Sequence, residues 1–449
     1  MSARINRRQM LKVSVVAGAG AMFLPSGVLS FGQNPSANEK LNVAVTGIGG
    51  QGKYSLDQLE KLPVNFVGLC DVDDVRAGNA YERFPKAKKY LDFRKMYDEL
   101  DKTIDAVVVA TPDHTHYHPA IAAIRMKKHI YCEKPLAHSP AECRIITTEA
   151  EKMGVASQIG AQRHAYPNMH RVTELIKSNA IGQVKEAHAW IGGDRGMPTM
   201  PTNFPEVPAT LDWKQWVGPA KMRDYSPEYC PYNWRFFRDF GTGETGNWAC
   251  HVLDIPYTAL DLAYPNHVTA TGPEVDDYRT SKSMHCTFKY AARGDLPPVT
   301  LHWYHTTKLP FMQEYDLKDK YNDTLTKKEF KFPADTGALF IGEKGLLLAG
   351  FSNHVLLPVD KFADYKYPEK FVPDSPGFHK EWVNACKGGP VATCNFNYSG
   401  PMAETAILGN AAFFAGHKSF EWDAQNMVAI NCPEMEPLIK PEFHNGWKY

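Results

Sequence analysis

The chain has no excess of charge of either sign: 50 lysines and arginines balance 50 aspartates and glutamates across 449 residues. Proteins that bind nucleic acid or an anionic membrane surface through their overall charge need a basic field, and this composition does not supply one. The charge balance therefore argues against nucleic acid as a partner and favours a small, neutral substrate. The length is enough for two domains with separate cores.

The nine cysteines show neither of the patterns that give cysteine a structural task. They are scattered, odd in number and without a Cys-x-x-Cys pair, so neither a disulfide framework nor a zinc site is expected. We expect free, buried thiols, as in a protein that folds in the reducing cytoplasm.

The N-terminal segment lacks an apolar run long enough to be a comfortable membrane span. Residues 1–30 begin with basic residues that include Arg7 and Arg8, followed by a Gly/Ala-rich apolar stretch from Val13 to Leu24. This order is typical of a secretory signal, and the paired arginines resemble the twin-arginine export consensus. We expect an exported, periplasmic protein whose mature part, after a linker over residues 31–40, has no membrane span. Two alternatives stay open: a frayed N-terminal helix of a cytoplasmic enzyme, and an uncleaved anchor.

Short apolar runs alternate with helical stretches between residues 41 and 160. The pattern predicts strands that begin at Val43, Val64, Ile104, His129 and Val155, with helices between them. Ser139-Pro140-Ala141-Glu142 indicates a helix start, because a capping serine, a proline in the first turn and a glutamate three residues on occur together. Strands that alternate with helices predict a doubly wound parallel sheet of the Rossmann type, in the α/β class.

A glycine loop follows the first of these strands and opens a helix. It reads Gly47-Ile48-Gly49-Gly50-Gln51-Gly52, and Asp71 stands at the end of the second predicted strand, about 20 residues later. Glycines allow the backbone to approach a pyrophosphate at a helix N-terminus, and Asp71 would bind the ribose hydroxyls. We therefore expect NAD as the cofactor. The carboxylate disfavours the 2′-phosphate of NADP, although Arg76 nearby keeps NADP open as the less favoured alternative.

Two further strand ends present polar side chains where ligands bind in doubly wound sheets. The third strand leads into Thr111-Pro112-Asp113-His114-Thr115-His116, and the fourth into Glu133-Lys134-Pro135. Alternate histidines are compatible with a metal site of the amidohydrolase kind, but no matching ligand set follows, so no metal is expected. Lys134 is either a surface lysine or a catalytic one, and its place beside the expected nicotinamide favours catalysis.

These residues together resemble the Gfo/Idh/MocA family of sugar and cyclitol oxidoreductases. The resemblance includes the glycine loop, Asp71, Thr111-Pro112 with His116, and Glu133-Lys134-Pro135, and extends over essentially the whole mature chain. It implies a Rossmann domain over residues 41–160 and a C-terminal α/β domain over residues 161–431. The second domain would contain an open, mainly antiparallel sheet that covers the active site and mediates dimers or tetramers. The tail, residues 432–449, is expected to wrap the surface.

The strand ends and the resemblance together indicate which residues contact the cofactor. They are the six residues of the glycine loop, Asp71, and a set at the later strand ends: Thr111, Pro112, His114, His116, Glu133, Lys134, Gln162 and Arg163. Gln162 and Arg163 follow the last predicted Rossmann strand and would bracket the nicotinamide side. His116 would position the substrate or the cofactor.

In the second domain, a helix predicted from Gly246 places Asn247 and His251 one turn apart on one face. The family usually has an aspartate and a histidine at this spacing, and with the lysine of Glu-Lys-Pro they form its catalytic set. Asn247 can hydrogen-bond a substrate hydroxyl or orient His251, but it cannot take a proton. We expect His251 as the base, Lys134 as the cation beside the developing alkoxide, and Asn247 as a positioning group. A histidine that only packs the helix is the alternative.

Other elements of the second domain are predicted from the sequence without an assigned catalytic residue. The pattern predicts a strand Val299–Tyr304, a strand pair around the turn Gly342-Glu343-Lys344-Gly345, and helices His379–Cys386 and Ala403–His417. Residues 192–246 are rich in glycine, proline and aromatic residues. Aromatic side chains in or near this segment could stack on sugar faces, although most are expected to pack in the core: Trp190, Tyr229, Tyr232, Trp234 and Trp248.

The sequence therefore predicts an exported NAD-dependent oxidoreductase that acts on a sugar, polyol or glycoside and keeps and recycles its cofactor. One alternative is a redox-neutral NAD-dependent glycosidase that works by oxidation, elimination and hydration; for its C2 base, Tyr166 and His164 are weak candidates. The other alternative is a sugar-binding protein without turnover, because fold alone does not fix function.

Overall fold

The computed structural model describes residues 40–317 and 335–449. The predicted export signal, residues 1–30, and residues 31–39 of the predicted linker lie outside the described residues. No helix in the described part of the chain is both long and apolar enough to span a bilayer.

The N-terminal domain contains a six-stranded parallel sheet with the order β3-β2-β1-β4-β5-β6. This is the strand order of a dinucleotide-binding doubly wound fold, so the predicted Rossmann architecture is confirmed. The strands are β1 Leu41–Thr46, β2 Val64–Cys70, β3 Lys88–Tyr90, β4 Ala106–Val109, β5 His129–Cys132 and β6 Ser157–Ile159. The helices are α1 Gln51–Leu59, α2 Asp74–Arg83, α3 Phe93–Leu100, α4 Tyr117–Arg125 and α5 Pro140–Met153. The short strand β3 and helix α3 were not predicted.

Helix α5 begins and ends where the sequence places it. The Ser139 side chain accepts the Glu142 N–H at 3.3 Å, and the Glu142 carboxylate accepts the Ser139 N–H at 3.0 Å, which forms a capping box. Gly154 ends the helix in the left-handed conformation with φ +64°. Both ends are fixed by local hydrogen bonds, so the sequence alone predicts them.

The second domain contains a nine-stranded sheet with the order β13-β12-β11-β7-β10-β9-β8-β14-β15. Only β7 and β10 pair in parallel; the other neighbours are antiparallel, which confirms the predicted mainly antiparallel sheet. The strands are β7 Val184–Ile191, β8 His267–Thr271, β9 Met284–Tyr290, β10 Val299–His305, β11 Thr336–Gly342, β12 Gly345–Ala349, β13 His354–Leu357, β14 Ser419–Asp423 and β15 Val428–Ile430.

The helices of the second domain pack mainly on one face of this sheet and on the Rossmann helices. They are α6 Pro167–Lys177, α7 Trp213–Val217, α8 Gly243–Val252, α9 Asp254–Leu260, α10 Phe311–Glu314, α11 Phe378–Cys386, α12 Phe396–Phe414 and α13 Glu436–Ile439. Short 3₁₀ turns occupy Asp113–Thr115, Gln162–Ala165, Asn233–Phe236 and Pro433–Met435. One continuous hydrophobic cluster runs through both domains.

Helix α12 starts at Phe396, earlier than the predicted Ala403. Asn395 caps it, since its side chain accepts the N–H groups of Asn397 and Tyr398, and the helix then passes through Pro401. The prediction placed the start after this proline. The early start brings Gly400 against helix α5, where an added Cβ would lie 2.1 Å from the Thr147 hydroxyl oxygen.

Residues 210–240, which we call the cover segment, fold over the Rossmann domain. Its aromatic residues form their own cluster, which includes Trp213, Trp216 and Phe240. Its backbone is hydrogen-bonded to the loop after β2: Asp212 N–H donates to Val72 O at 2.8 Å, and Asp74 N–H donates to Thr210 O at 3.0 Å.

The C-terminal tail holds the cover segment from the other side. Asn445 donates its side-chain amide to the carbonyls of Gly218 and Ala220, both at 2.8 Å. The ring of Trp447 lies 4.5 Å from the ring of His118 on helix α4, centroid to centroid. The tail therefore joins the cover segment to the Rossmann domain as it runs over the surface.

Candidate active site

A cleft of about 420 Å³ lies at the carboxyl ends of the Rossmann strands. Its floor is the glycine loop, Asp71, Thr111-Pro112 and Glu133-Lys134, and its other walls come from the cover segment, helix α8 and the tail residue Trp447. The parallel strands meet at this edge, so residues from four strand ends converge there. The cleft brings together most of the predicted cofactor residues with Lys134 and Asn247.

The glycine loop has the geometry of a close backbone approach. Gly47 has φ +81° and Gly50 has φ +52°. A Cβ on Gly52 would lie 1.9 Å from the carbonyl oxygen of Gly47, so a side chain there would force the turn apart. Gly47 and Gly52 have no room for a side chain, Gly50 is restricted by its positive φ, and the shape of the loop fits a pyrophosphate at the start of helix α1.

Asp71 is bound to the glycine loop. Its Oδ2 accepts the N–H groups of Ile48 at 2.9 Å and Gly49 at 3.1 Å, and its Oδ1 accepts the Asp73 N–H at 3.1 Å. Burial raises the pKa of Asp71, against the lowering effect of these donors. The carboxylate orders the loop and also lines the cleft, where the ribose hydroxyls would lie.

Lys134 contacts Asn247 at the inner end of the cleft. The Lys134 Nζ donates to Asn247 Oδ1 at 2.5 Å, and Asn247 Nδ2 donates to Glu244 Oε1 at 3.2 Å. Arg195 in turn donates to Glu244 Oε2 at 2.5 Å. The amide is thus oriented by a cation on its oxygen side and a carboxylate on its nitrogen side. The sequence did not point to Glu244 or Arg195.

The surroundings of Lys134 lower the pKa of its amine. Burial and, to a smaller extent, the nearby Arg235 lower the pKa of Lys134 to about 8, while Glu133 and Asp113 act in the opposite direction. With a pKa of about 8, Lys134 is still mostly protonated at neutral pH, so it can act as a cation beside a hydroxyl oxygen.

His251 lies one turn after Asn247 on helix α8 and is buried. Its Nδ1 has no hydrogen-bond partner among the described residues. Burial lowers the pKa of His251 well below the usual value, and the charges of Lys134 and Arg163 act in the same direction. The ring is therefore neutral near pH 7 and a weak base, and among the described residues the cleft wall includes Asn247 and not His251.

The histidines after β4 do not converge on a common point. His114 has Nδ1 3.1 Å from Phe240 O and Nε2 3.0 Å from Trp216 O. Burial lowers its pKa to about 3, so the neutral ring donates to one carbonyl at a time. The ring fastens the cover segment to the Rossmann domain and turns away from the cleft, which differs from its predicted place among the cofactor residues.

His116 lies between the two strand ends that form the floor of the cleft. Its Nδ1 lies 2.8 Å from Pro135 O and its Nε2 2.8 Å from Thr111 O, and the ring is not among the described residues that line the cleft. It links the backbone of the two strand ends and so contacts the segments of the site at Thr111 and Pro135.

Glu133, Gln162 and Gln51 form one hydrogen-bonded group beside the glycine loop. Gln162 donates to Glu133 Oε1 at 3.1 Å, and Gln51 donates to the same oxygen at 3.3 Å. Arg163 instead lies between the rings of Trp248 and Phe351, 4.8 Å and 4.6 Å from their centroids. Of the described cleft-lining residues, Gln51 and Glu133 belong to the wall, whereas Gln162 and Arg163 stand behind it.

Asp113 and Arg235 are functional candidates that the sequence did not indicate. Asp113 is buried, and Thr242 donates to its Oδ2 through N–H at 3.0 Å and through its hydroxyl at 2.5 Å. Burial would raise the pKa of Asp113, but Arg235, His116 and Thr242 outweigh it and lower the pKa. Arg235 stacks on Trp234 at 4.4 Å and lines the cleft. Asp113 is more than 120 residues away from Thr242 and Arg235, so no local sequence pattern predicts these contacts.

The remaining candidates fall into two groups. Trp234 and Tyr232 line the cleft, whereas Trp190 and Tyr229 are buried in hydrophobic clusters and Trp248 packs on Arg163. Of the weak candidates for a C2 base, His164 is buried and paired with Asp254 at 2.8 Å, and Tyr166 is exposed.

Comparison with known proteins supports the same interpretation. Residues 41–161 match the Gfo/Idh/MocA model for an oxidoreductase family, NAD-binding Rossmann fold, and residues 187–296 match the model for its C-terminal alpha/beta domain. Inositol 2-dehydrogenase from Salmonella typhimurium is 32% identical over 149 residues, which are 32% of this chain and 44% of that protein. Levoglucosan dehydrogenase from Pseudarthrobacter phenanthrenivorans is 27% identical over 246 residues, which are 52% of this chain and 55% of that protein. This chain thus aligns with about half of the length of these relatives or less.

Solved structures show the same fold over most of the chain. The WlbA dehydrogenase from Bordetella pertussis, in complex with NADH and UDP-GlcNAcA, has a TM-score of 0.58 at 14% identity, over 85% of this chain and 99% of that one. GenD2 from gentamicin A biosynthesis, in complex with NAD, has a TM-score of 0.56 at 19% identity, over 86% and 97%. The fold, the glycine loop with Asp71 and both domain matches agree, and the chain belongs to the Gfo/Idh/MocA family of oxidoreductases, with NAD as its cofactor.

Proposed function

We propose that this protein oxidises a CH–OH group of a sugar, polyol or glycoside and keeps its NAD bound through the reaction. The observation that supports this best is the contact of Lys134 with Asn247 at the inner end of the NAD cleft. A partly buried cation beside an oriented amide fits a secondary hydroxyl that must lose its proton.

The side chains divide the work on the substrate hydroxyl. When bound, NAD supplies a hydride acceptor. Lys134 would stabilise the developing alkoxide oxygen as a cation, and Asn247 would hold the hydroxyl through its amide. His251, one turn from Asn247 on the same helix although not part of the cleft wall, is the proposed acceptor of the proton. Asn247 cannot supply the negative charge of the family's usual aspartate, and Glu244 stands behind it, paired with Arg195.

The cover segment supports the proposal that NAD stays bound. Leu211, Trp216 and Tyr232 line the cleft opposite the glycine loop. The backbone bonds from the cover segment to Val72 and Asp74 close the loop that follows Asp71, at the ribose end of the cleft. Release of the cofactor would therefore require these bonds and the contacts of the tail to open, which slows dissociation.

A retained cofactor must be regenerated within each cycle, and two routes do this. A second sugar can be reduced by the same site. Alternatively, transient oxidation at C3 of a glycoside acidifies the C2 proton, a base removes it, and the aglycone leaves C1 with the bonding electrons. Water then adds across C1 and C2, and C3 is reduced again. A 2,7-anhydro-N-acetylneuraminate hydratase from Escherichia coli is 34% identical over 87 residues, which are 19% of this chain and 23% of that protein. This similarity supports the second route as an alternative.

The two routes separate in one experiment. Purified protein is incubated with a panel of aryl glycosides without added nucleotide. Release of the aglycone supports the glycosidase route. If no aglycone is released from glycosides alone, but product forms when a second sugar is supplied as acceptor, the protein is a two-sugar oxidoreductase. Tight sugar binding with neither product would favour the binding protein without turnover.

We further propose that the protein is exported by the twin-arginine route and forms a homo-oligomer, a dimer or a tetramer. The arginine pair and apolar stretch in residues 1–30 support export, and the open nine-stranded sheet, whose end strands are β13 and β15, is compatible with assembly. Replacement of Arg7 and Arg8 by lysine should keep the protein in the cytoplasm, and light scattering after gel filtration measures the oligomer. Unchanged export of the double variant would contradict the first proposal, and a monomer would contradict the second.

A further inference from the structure

Three metal-binding side chains meet on the nine-stranded sheet, away from the NAD cleft. Glu186 and His188 lie on β7, two residues apart and thus on one face, and His302 lies opposite His188 on the parallel neighbour β10. One donor atom of each side chain, a carboxylate oxygen or a ring nitrogen, lies within 4.8 Å of the other two.

We propose that Glu186, His188 and His302 bind a divalent transition-metal ion of the Zn²⁺ type. Two imidazole nitrogens and one carboxylate oxygen are a common ligand set for such ions, and a water or another donor would complete the tetrahedron. The Glu186 side chain is 31% exposed, so this position of the site is open to solvent.

The distances between the donor atoms support this ligand set. His188 Nε2 lies 2.9 Å from Glu186 Oε1, and His302 Nε2 lies 3.8 Å from the same oxygen. Ligands about 2.0–2.1 Å from a tetrahedral ion are roughly 3.3 Å apart, between these two values. Small side-chain rotations would therefore place all three donors around one ion.

The contact between Glu186 and His188 is not a satisfied hydrogen bond. His188 Nε2 is buried and lacks a hydrogen-bond partner in the described residues, despite the short distance to the carboxylate. The separation of 3.8 Å from His302 Nε2 is also too long for a hydrogen bond. Two ring nitrogens thus face one carboxylate oxygen, His188 Nε2 at 2.9 Å and His302 Nε2 beyond hydrogen-bond distance.

Outer contacts hold the ligands in the required orientation. His188 Nδ1 lies 3.2 Å from the Tyr304 hydroxyl, and His302 Nδ1 lies 3.1 Å from His285 Nε2. The Tyr315 hydroxyl donates to Glu186 Oε1 at 3.2 Å. Metal-binding histidines usually have the second ring nitrogen engaged in this way, because the contact fixes the tautomer and the ring direction.

The site lies on the opposite face of β10 from the active-site helix. Trp303, next to His302, donates its indole N–H to Thr245 on helix α8 at 3.2 Å, and neighbouring side chains of a strand point to opposite faces. The ion would therefore stabilise the sheet from behind the active site. This inference does not depend on the proposed function.

Cobalt binding tests the site with a spectroscopic signal. The full-length, untagged protein is freed of metal with a chelator, titrated with Co²⁺ alone and followed by its visible absorption, with Zn²⁺ content measured after dialysis. We expect one equivalent with the absorption of a tetrahedral site. The variants Glu186→Gln and His302→Gln should bind at least about tenfold more weakly, and Tyr304→Phe should weaken binding by about 10- to 100-fold as an outer-contact change.

The matched control is His267→Gln, which changes a histidine on β8 of the same sheet and should leave binding unchanged. NAD binding serves as the folding control for every variant. If the wild-type protein takes up less than a tenth of an equivalent, or if Glu186→Gln and His302→Gln bind as well as the wild type, the proposal is wrong. Equal loss in the His267 variant would likewise overturn it.

Discussion

Lys134 Nζ and Asn247 Oδ1 lie 2.5 Å apart, although 113 residues separate them in the chain. Lys134 follows strand β5 of the Rossmann domain. Asn247 lies on helix α8 of the second domain. Each domain therefore supplies one half of the polar group that would meet the substrate hydroxyl. The neutral amide also leaves the lysine without a carboxylate in direct contact, which agrees with its lowered pKa of about 8.

Replacement of Asn247 by aspartate should move the pH dependence of the reaction upward. A carboxylate in contact with Lys134 favours the charged amine and raises the pKa of Lys134 from its value of about 8. A cationic Lys134 is needed beside the alkoxide oxygen, so the rate of the wild-type protein should fall as pH rises through about 8. In Asn247→Asp this fall should occur at higher pH. The measurement is kcat/KM against pH for both proteins.

A wild-type rate that rises through the same region would assign Lys134 as the base and contradict its role as the cation. Glu244→Gln serves as a comparison, because it removes the carboxylate behind Asn247 without touching Lys134 directly. It should weaken substrate binding more than it shifts the pH profile.

Replacement of Lys134 by alanine should remove turnover while NAD remains bound. The loss in kcat should be about 10²- to 10³-fold, the range for removal of one group that stabilises the developing negative charge. Lys53→Ala, at an exposed lysine of helix α1, should keep full activity. The two proteins are compared by steady-state kinetics and by bound-nucleotide content. A Lys134→Ala protein with near wild-type turnover would indicate that this lysine only packs the cleft.

Replacement of Asn445 by alanine should speed the release of NAD. The side chain makes two hydrogen bonds to the cover segment, and their loss should raise the dissociation rate roughly tenfold. Asn426→Ala is the matched control, since that side chain is exposed and bonds only within its own turn. Fluorescence of bound NADH during a chase with NAD measures the rate. Equal rates in the two variants would show that the tail does not hold the cofactor.

The buried pair of His164 and Asp254 should stabilise the fold in a pH-dependent way. Burial alone would lower the pKa of His164, but Asp254 outweighs it and raises the pKa above the usual value. The contribution is therefore fully present below the unfolded pKa of His164 and is lost as pH rises through the raised folded pKa. Asp254→Asn should lower the free energy of unfolding by about 3 kcal/mol at pH 6.

The difference between Asp254→Asn and the wild type should become smaller as pH rises beyond the raised pKa, in denaturant unfolding at several pH values. His417→Gln, at a half-buried histidine outside this pair, controls for general effects of replacing a histidine. A difference that grows with pH would have the wrong sign for this pair.

Local patterns predicted the Rossmann domain well because its signals are short-range. The capping box of α5, the glycine loop and the strand ends each depend on residues within a few positions of one another. The family resemblance supplied the second domain and Lys134. Strand β3 and helix α12 were missed or misplaced because a three-residue strand and a proline within a helix give weak or contrary local signals.

The covered cleft could not be predicted, because its contacts join distant parts of the chain. His114 faces Phe240, 126 residues away, and Asn445 bonds Gly218, 227 residues away. The histidine pattern after β4 was visible, but its direction depends on the cover segment. The Glu186 and His302 cluster was equally hidden, since it forms only when β7 and β10 pair in parallel.

The central claim is that NAD stays in the cleft and is recycled there. Its most direct test is the absorbance at 340 nm of protein that has passed through gel filtration, recorded in a stopped-flow instrument as sugars or glycosides are added without free nucleotide. The account predicts about one nucleotide per chain, a transient rise as the substrate is oxidised, and a return to baseline as product accumulates over many turnovers. Protein that elutes without nucleotide, and that turns over only with millimolar added NAD and steady accumulation of free NADH, would contradict it.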